Sequence, residues 1–223
     1  MKKILSYLFI ICLFISCTED NLPEVNVYGK LEILPIEIRT ETDTEIIKRG
    51  VDSQLQIDIL QGSTIIRTYE AGSTELNEKI SLPVGDYTII AHTPNMQEAA
   101  NNIQGTPTYS VSKEFQIAAN ATTTIDNLTA TQANIGISLD YQDELLTSAF
   151  TSVVCTLYSP STGRTVDITG TDNKNLTYFN VPDNGILQYS FKATNTDGET
   201  FTSDTRTIEI TTAKNYTIQV QIE

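Results

Sequence analysis

The sequence has no tryptophan and only one histidine, His92, among its 223 residues. A zinc site typically uses several His or Cys ligands, and this chain has too few to form one. The residues around His92 do not include the nucleophile and orienting carboxylate of a catalytic triad. Glycine-rich phosphate-binding motifs are missing as well. These absences favour a protein that is not an enzyme and that uses no metal ion or other cofactor.

Basic residues are also scarce, with 14 Lys and Arg against 28 Asp and Glu and a formal net charge of −14. This excess of negative charge disfavours nucleic acid and anionic lipid headgroups as partners. Among the acidic clusters, Asp172-Asn-Lys-Asn175 alternates oxygen ligands as calcium loops do. It lacks the glycine and closing glutamate of an EF-hand loop, so a solvated turn is the better interpretation. Two carboxylates that are distant in sequence can still form the catalytic pair of a glycoside hydrolase. A small hydrolase is therefore one further hypothesis.

The three cysteines are unevenly placed, with Cys12 and Cys17 near the start and Cys155 far along the chain. Cys155 stands among Val153, Val154 and Leu157, and we expect it to be a small buried apolar side chain. If Cys12 is removed and Cys17 is modified, no disulfide can form within the chain. The fold must then be stabilised by its hydrophobic core.

The N-terminal segment has the layout of a secretory signal. Met1-Lys2-Lys3 precedes an apolar run, Ile4 to Ile15, that is too short to span a bilayer. Cys17 follows the small Ser16 and resembles the cysteine of a lipobox, although Phe14 stands where Leu is most usual. We therefore predict a lipoprotein signal peptide at residues 1–16 and lipidation of Cys17. An ordinary signal peptide with a nearby cut is the alternative.

An acylated Cys17 would attach the protein to a membrane, at about 0.8 kcal/mol for each buried methylene. Residues 17–26 are then the lipidated cysteine and a polar tether. Thr18-Glu19-Asp20 resembles the acidic export tag of Bacteroidota lipoproteins. That resemblance implies a lipid-anchored protein of the outer membrane, exposed at the cell surface. A plain solvated tether is the other interpretation.

Most of the remaining sequence alternates between apolar and polar residues with period two, which predicts short strands. The alternation is clearest at Leu55 to Ile59, Ile135 to Tyr141 and Tyr216 to Ile222. Turn-forming stretches with proline or glycine separate these runs. Many short strands at this spacing predict an all-β protein built as an antiparallel sandwich.

The two halves of the chain also resemble each other. Lys79 to Ala91 can be laid beside Tyr178 to Ala193, because each has a strand, a proline turn with glycine and an alternating strand. The strands that follow match in order and spacing. We therefore predict two tandem Ig-like β-sandwich domains, 27–129 and 130–223, joined near Thr129 to Gln132.

The stretch Leu82 to Met96 begins with the pattern LPxGxY and, with the lipobox and the repeat, carries a family resemblance. The chain resembles an uncharacterised family (a domain of unknown function) of Bacteroides-type outer-membrane lipoproteins. In layout it is distantly similar to fimbrillin-like proteins, lipid-anchored pilus subunits with tandem transthyretin-like sandwiches. This resemblance implies a transthyretin-like fold and a structural or adhesive role, including that of a pilus-associated subunit.

Fimbrillins are matured by cleavage after an arginine, which opens a groove for a strand from a neighbour. Arg49 is the candidate processing site here, provided that the polar stretch around it is a loop. Ordinary solvated charges are the alternative. The strand that ends at Glu223 leaves no tail to donate, which departs from the fimbrillin pattern.

One loop differs between the repeats, since His92 to Tyr109 is longer than its counterpart, Thr194 to Thr205. Binding residues tend to lie on loops held by a rigid scaffold. The candidate binding loop therefore contains Pro94, Asn95, Met96 and Tyr109. A packed loop with one helical turn at Met96 to Ala100 is the alternative.

These observations favour a non-catalytic, structural or adhesive surface lipoprotein that presents loops to a protein or a surface outside the cell. The alternative is a glycan-binding accessory lipoprotein of a polysaccharide-utilisation system. Sugar-binding sandwiches often stack rings on tryptophan, which is absent, but ten tyrosines are present.

Overall fold

The computed structural model describes residues 27–41, 46–51, 54–142, 148–171 and 173–221. Within these ranges the regular structure is almost entirely β-strand, so the predicted all-β fold is confirmed. The predicted signal peptide, Cys17 and the tether to residue 26 lie outside the described residues, as does Asp172.

Ten strands and one short 3-10 helix (Thr74–Asn77) form the first half of the described chain. The strands are β1 (Tyr28–Ile33), β2 (Glu37–Glu41), β3 (Ile46–Val51), β4 (Gln56–Gln61), β5 (Thr64–Tyr69), β6 (Ile80–Pro83), β7 (Gly85–His92), β8 (Tyr109–Ile117), β9 (Thr122–Ile125) and β10 (Thr129–Gln132). They make a three-stranded sheet, β6-β1-β9, and a seven-stranded sheet, β3-β2-β10-β8-β7-β4-β5. Leu31 and Leu82 from the small sheet and Ile59 and Ile89 from the large one share a single hydrophobic core.

Eight strands form the second half: β11 (Asn134–Tyr141), β12 (Phe150–Tyr158), β13 (Thr165–Thr169), β14 (Thr177–Asn180), β15 (Ile186–Asn195), β16 (Thr200–Thr202), β17 (Arg206–Glu209) and β18 (Asn215–Val220). The small sheet is β14-β11-β18, and the larger one is β13-β12-β15-β16, with β17 also paired to β15. Ile137, Leu157 and Phe179 lie in a second, separate core. The protein is therefore a pair of β-sandwiches.

The repeat predicted from sequence is visible in the topology. In each small sheet, the first strand of the domain is central, with one antiparallel neighbour and one parallel neighbour. Strands β1, β6 and β9 thus correspond to β11, β14 and β18. The first sandwich adds β2, β3 and β10, for which the described part of the second has no equivalent.

The junction lies slightly later than the sequence suggested. Thr129–Gln132 is strand β10 of the first sandwich, parallel to β2 and antiparallel to β8, and Ala130 is fully buried in the first core. The second sandwich begins with β11 at Asn134. Burial of Ala130 and Gln132, which alternate with Thr129 and Thr131, is the pattern of a strand.

A tyrosine hydroxyl fixes the turn from β6 to β7. Tyr87 is buried at the start of β7, and its hydroxyl donates to the carbonyl oxygen of Pro83 at 2.9 Å. Tyr216 in β18 makes the same contact with the carbonyl oxygen of Thr212, four residues before it, at 2.9 Å. Such a bond ties a strand to the turn that precedes it.

We expect Tyr87→Phe to lower the free energy of unfolding by about 0.5–1.5 kcal/mol, because it removes one hydrogen bond and leaves the Pro83 carbonyl without this partner. Urea denaturation measures the change. Tyr158→Phe, at an exposed ring in the second sandwich, is the control and should match the unmodified protein. Equal stability of all three proteins would contradict this role of Tyr87.

Candidate functional site

The candidate binding loop, residues 93–108, packs against the second sandwich. Tyr178 donates its backbone N–H to the carbonyl oxygen of Gln104 at 2.6 Å, and Asn102 donates its own to that of Thr165 at 3.0 Å. The side-chain oxygens of Asn101 and Asn102 accept backbone N–H groups from Thr165 and Asp167, both at 3.1 Å. The loop therefore contacts the second sandwich through its own backbone and through the side chains of Asn101 and Asn102.

Arg164 lies at the centre of this contact with only 4% of its surface exposed. Its Nε donates to the carbonyl oxygen of Ala100 at 3.3 Å, and its two terminal nitrogens donate to the carbonyl oxygens of Ile103 and Tyr178. The guanidinium also lies 4.2 Å from the centre of the Phe179 ring. A planar group with five donors suits this combination of carbonyls and an aromatic face.

Glu98 supplies the negative charge beside this buried cation. Its Oε1 lies 3.8 Å from Nη1 of Arg164 and accepts the backbone N–H of Asn180 at 3.1 Å. Burial lowers the pKa of Arg164, and the Glu98 carboxylate opposes that change. We call residues 98–104 together with Arg164 the interdomain clasp.

A second set of contacts holds the covalent junction beside the clasp. The side-chain oxygen of Asn134 accepts the N–H of Thr108 at 3.0 Å, and Gln132 Nε2 donates to Oδ1 of Asn215 at 2.9 Å. Gly136 leaves room for this contact, because a Cβ at this position would lie 2.2 Å from that Asn215 oxygen and would displace the side chain. The two sandwiches are thus fixed by the clasp on one side and by this amide cluster at the linker.

The predicted loop residues do not form one surface. Pro94 and Asn95 are exposed and Met96 is half-buried. Tyr109 belongs to the first core, where its hydroxyl lies 2.9 Å from Oγ1 of Thr40, so its ring cannot receive a partner. The loop is packed as the alternative hypothesis required, but the helical turn at Met96 to Ala100 is not formed.

An open cleft of about 390 Å³ remains between the loop and the second sandwich. Its walls mix polar and apolar surface, and the polar side chains include Asn95, Gln97, Thr106, Tyr178 and Asn180. Part of the predicted site, Pro94 and Asn95, lies on its rim. Amide and carboxylate groups of this kind form hydrogen bonds with polar small molecules.

His92 has a partner that the local sequence did not reveal. Strand pairing places Asp58 of β4 beside it, with Asp58 Oδ2 3.0 Å from Nε2, while Nδ1 lies 2.8 Å from the carbonyl oxygen of Thr93. Thr68 donates to the other Asp58 oxygen at 2.6 Å. Each ring nitrogen thus lies within hydrogen-bond distance of an oxygen, and the cluster joins β4, β5 and β7.

The hydrogen bonds to Asp58 determine its ionisation. Burial raises the pKa of Asp58, but hydrogen bonds from Thr68, His92 and Gln56 and the nearby imidazole outweigh this effect. The pKa of Asp58 therefore lies below its ordinary value. The ionised carboxylate stabilises the fold wherever it remains charged.

Two further predicted residues have clear positions. Cys155 is fully buried in the second core as predicted, and burial raises the pKa of its thiol to about 12. Arg49 lies within β3, opposite Ile38 of β2, rather than in the loop that the processing hypothesis assumed. Cleavage after Arg49 would therefore cut a paired strand.

Membrane-spanning helices and metal clusters are both missing from the described residues. No helix among them is long and apolar enough to cross a membrane. No three His, Cys, Asp or Glu residues of the described ranges are grouped so that they could hold a metal ion.

The fold and the clasp make this chain a tandem β-sandwich protein whose two domains contact each other. The chain belongs to the family described as Domain of unknown function (DUF4493), whose profile matches residues 28–223. No curated protein matches the chain.

Several solved structures are similar to this chain. A candidate cell adhesion protein from Bacteroides ovatus ATCC 8483 has 12% identity and a TM-score of 0.46, with 86% of this chain and 92% of that chain covered. A candidate adhesin from the same strain has 11% identity and a TM-score of 0.41, covering 83% and 92%. The shaft pilin spaA of Lactobacillus rhamnosus GG has 8% identity and a TM-score of 0.28, covering 86% and 96%.

Arg164→Gln should lower the free energy of unfolding by about 3 kcal/mol, because it leaves Glu98 and several buried carbonyl oxygens without their donor. Hydrogen exchange should become faster at residues 98–104, where the clasp is lost. Arg206→Gln, at an exposed arginine, is the matched control. An Arg164 variant with unchanged stability and exchange would refute the clasp.

Asp58→Asn should flatten the acid side of the stability curve. Because the folded pKa of Asp58 is lowered, its contribution is complete above the unfolded value of about 3.9 and is lost as the pH falls through the folded pKa. Between about pH 5 and pH 3 the unfolding free energy of the variant should therefore fall less than that of the unmodified protein. Asp183→Asn, at an exposed turn, should keep the original slope. Identical slopes in both variants would contradict the assignment.

Proposed function

We propose that this protein is a non-catalytic surface lipoprotein with a structural or adhesive role, including that of a pilus-associated subunit. The interdomain clasp carries this proposal. The buried arginine, its glutamate and the surrounding carbonyls join the two sandwiches to each other. Arg164 is thus buried in the contact between the two sandwiches, where it holds the scaffold.

The proposed location of the protein in the cell is based on its N-terminal sequence. Lipidation of Cys17 would anchor the chain in the outer membrane, and residues 18–26 would carry the sandwiches away from it. The acidic Thr18-Glu19-Asp20 supports display at the cell surface. Chains anchored in this way are held by the hydrophobic effect on their acyl groups.

Glycan binding in a polysaccharide-utilisation system is the second candidate, and the interdomain cleft favours it. A cavity of about 390 Å³ with amide groups from Asn95, Gln97 and Asn180 can form hydrogen bonds with a sugar, and Tyr178 supplies a ring beside them. This function predicts saturable binding that Asn95→Ala and Gln97→Ala weaken together, with the sugar recovered unchanged.

We expect cells that produce this protein to stay attached under flow to an immobilised protein partner, and cells with Cys17→Ser to detach. The variant folds as before but lacks the lipid, so attachment through the anchor should be lost. Labelled palmitate and a protease that cannot enter cells check lipidation and display. Equal retention of both strains on every surface, with the unmodified protein shown to be displayed, would contradict the adhesive role.

Running outer membranes unboiled on a denaturing gel distinguishes a pilus-associated subunit from a single adhesive protein. A ladder of even steps indicates subunits that polymerise, whereas one band near the monomer mass indicates a single displayed protein. A glycan panel on the purified protein then tests the second candidate.

A further inference from the structure

We propose that both sandwiches are mechanical clamps that bear tension applied along the chain. This inference rests on the proposed function, since an adhesive protein anchored at its N-terminal side is pulled whenever its partner moves. The observation behind it is that the first and last strands of each sandwich are paired in parallel. The resistance of a sheet to force depends on whether its hydrogen bonds are loaded together or one after another.

In the second sandwich, the first strand and the last strand lie side by side and parallel. Six residue pairs join β11 to β18, from Gly136 with Asn215 to Tyr141 with Val220. The ladder begins with the Gly136 N–H and the Lys214 oxygen at 3.2 Å and ends with the Gln142 N–H and the Val220 oxygen at 3.0 Å. Tension that enters at Asn134 and leaves after Val220 pulls these two strands along each other, so the whole ladder is loaded at once.

The first sandwich has the same arrangement twice. Strand β1 is parallel to β9, with the Lys30 N–H 2.8 Å from the Ala121 oxygen and the Leu34 N–H 2.9 Å from the Ile125 oxygen. The chain then passes to the other sheet, where β2 is parallel to β10 and the Glu37 N–H lies 2.9 Å from the Leu128 oxygen. The entering segment, 28–41, and the leaving segment, 122–132, are therefore paired across both sheets.

This arrangement makes the first sandwich load-bearing wherever a partner holds the second. Any grip on the second sandwich pulls on β10 through the junction at Ala133, while the anchor pulls on β1 from the other side. The clasp transmits part of the load through the loop that connects β7 and β8. The parallel ladders are the contacts that must break before the first sandwich can extend.

Single-molecule pulling tests the proposal on the chain that follows Cys17, which contains every described residue. With handles at Thr18 and Glu223, two unfolding events are expected. They should release about 380 Å for the first sandwich and about 310 Å for the second, at ~3.6 Å per residue. The shorter release identifies the second sandwich.

In the control experiment, the second sandwich is pulled through handles attached at Thr151→Cys and Thr196→Cys. These positions adjoin the paired ends of β12 and β15, which are antiparallel, so their ladder opens one pair at a time. The unfolding force of the second sandwich should be about twofold or more higher when the chain is pulled from Thr18 and Glu223 than when it is pulled from residues 151 and 196. Pulling from the ends requires many hydrogen bonds to fail together. Equal or lower force with the ends pulled would overturn the proposal.

Two proline variants test whether the hydrogen bonds between β18 and β11 carry the load. The Val220 carbonyl faces β11, so its N–H does too, whereas the Gln219 N–H points away from β11 at the described edge of the sheet. Val220→Pro should lower the force of the shorter event and Gln219→Pro should not, because only the first removes a ladder donor. Equal effects of the two variants would also overturn the proposal.

These measurements use no ligand, so they are independent of adhesion. A strong clamp in a protein that fails the attachment assay would refute the adhesive role and leave the clamp intact. A weak clamp in a protein that supports attachment would refute this inference alone.

Discussion

The buried guanidinium of Arg164 is the contact on which the arrangement of the two sandwiches depends. It brings a positive charge into an interface made of carbonyl oxygens, one carboxylate and one aromatic ring. A lysine could not satisfy these groups together, because its single ammonium lacks the planar set of donors. Since most of these acceptors belong to a loop of the other sandwich, the guanidinium ties that loop to the second sandwich.

The clasp exists because the two copies of the fold are not equal. The long connection between β7 and β8 in the first sandwich crosses to the second, whereas the shorter connection after β15 returns directly to its own sheet through β16. An insertion in one repeat has thus become the link between both. The repeated topology separately gives each sandwich a parallel pair of terminal strands, to which we ascribe its resistance to tension.

Period-two alternation predicted the all-β fold and the repeat because each strand buries one face, and Cys155 was correctly placed in the core. The boundary at Thr129 and the open binding loop were less accurate, for a common reason. Whether a polar stretch is a linker, a strand or a docked loop depends on which distant residues meet it. Nothing near Arg164 in the sequence shows that residues 98–104 cover it, and the pairing of Asp58 with His92 depends on the register of β4 and β7.

The clasp predicts that the two sandwiches move as one body, and a distance measured between them is the decisive test. Spin labels at Glu114→Cys in β8 and Thr217→Cys in β18, on exposed positions of each sandwich, can be placed in the chain that follows Cys17, where Cys155 is buried and unreactive. Double electron–electron resonance should give one narrow distribution of the distance between the two labels. A broad distribution, unchanged when Arg164 is replaced by glutamine, would mean that the clasp does not fix the domains and would contradict the account.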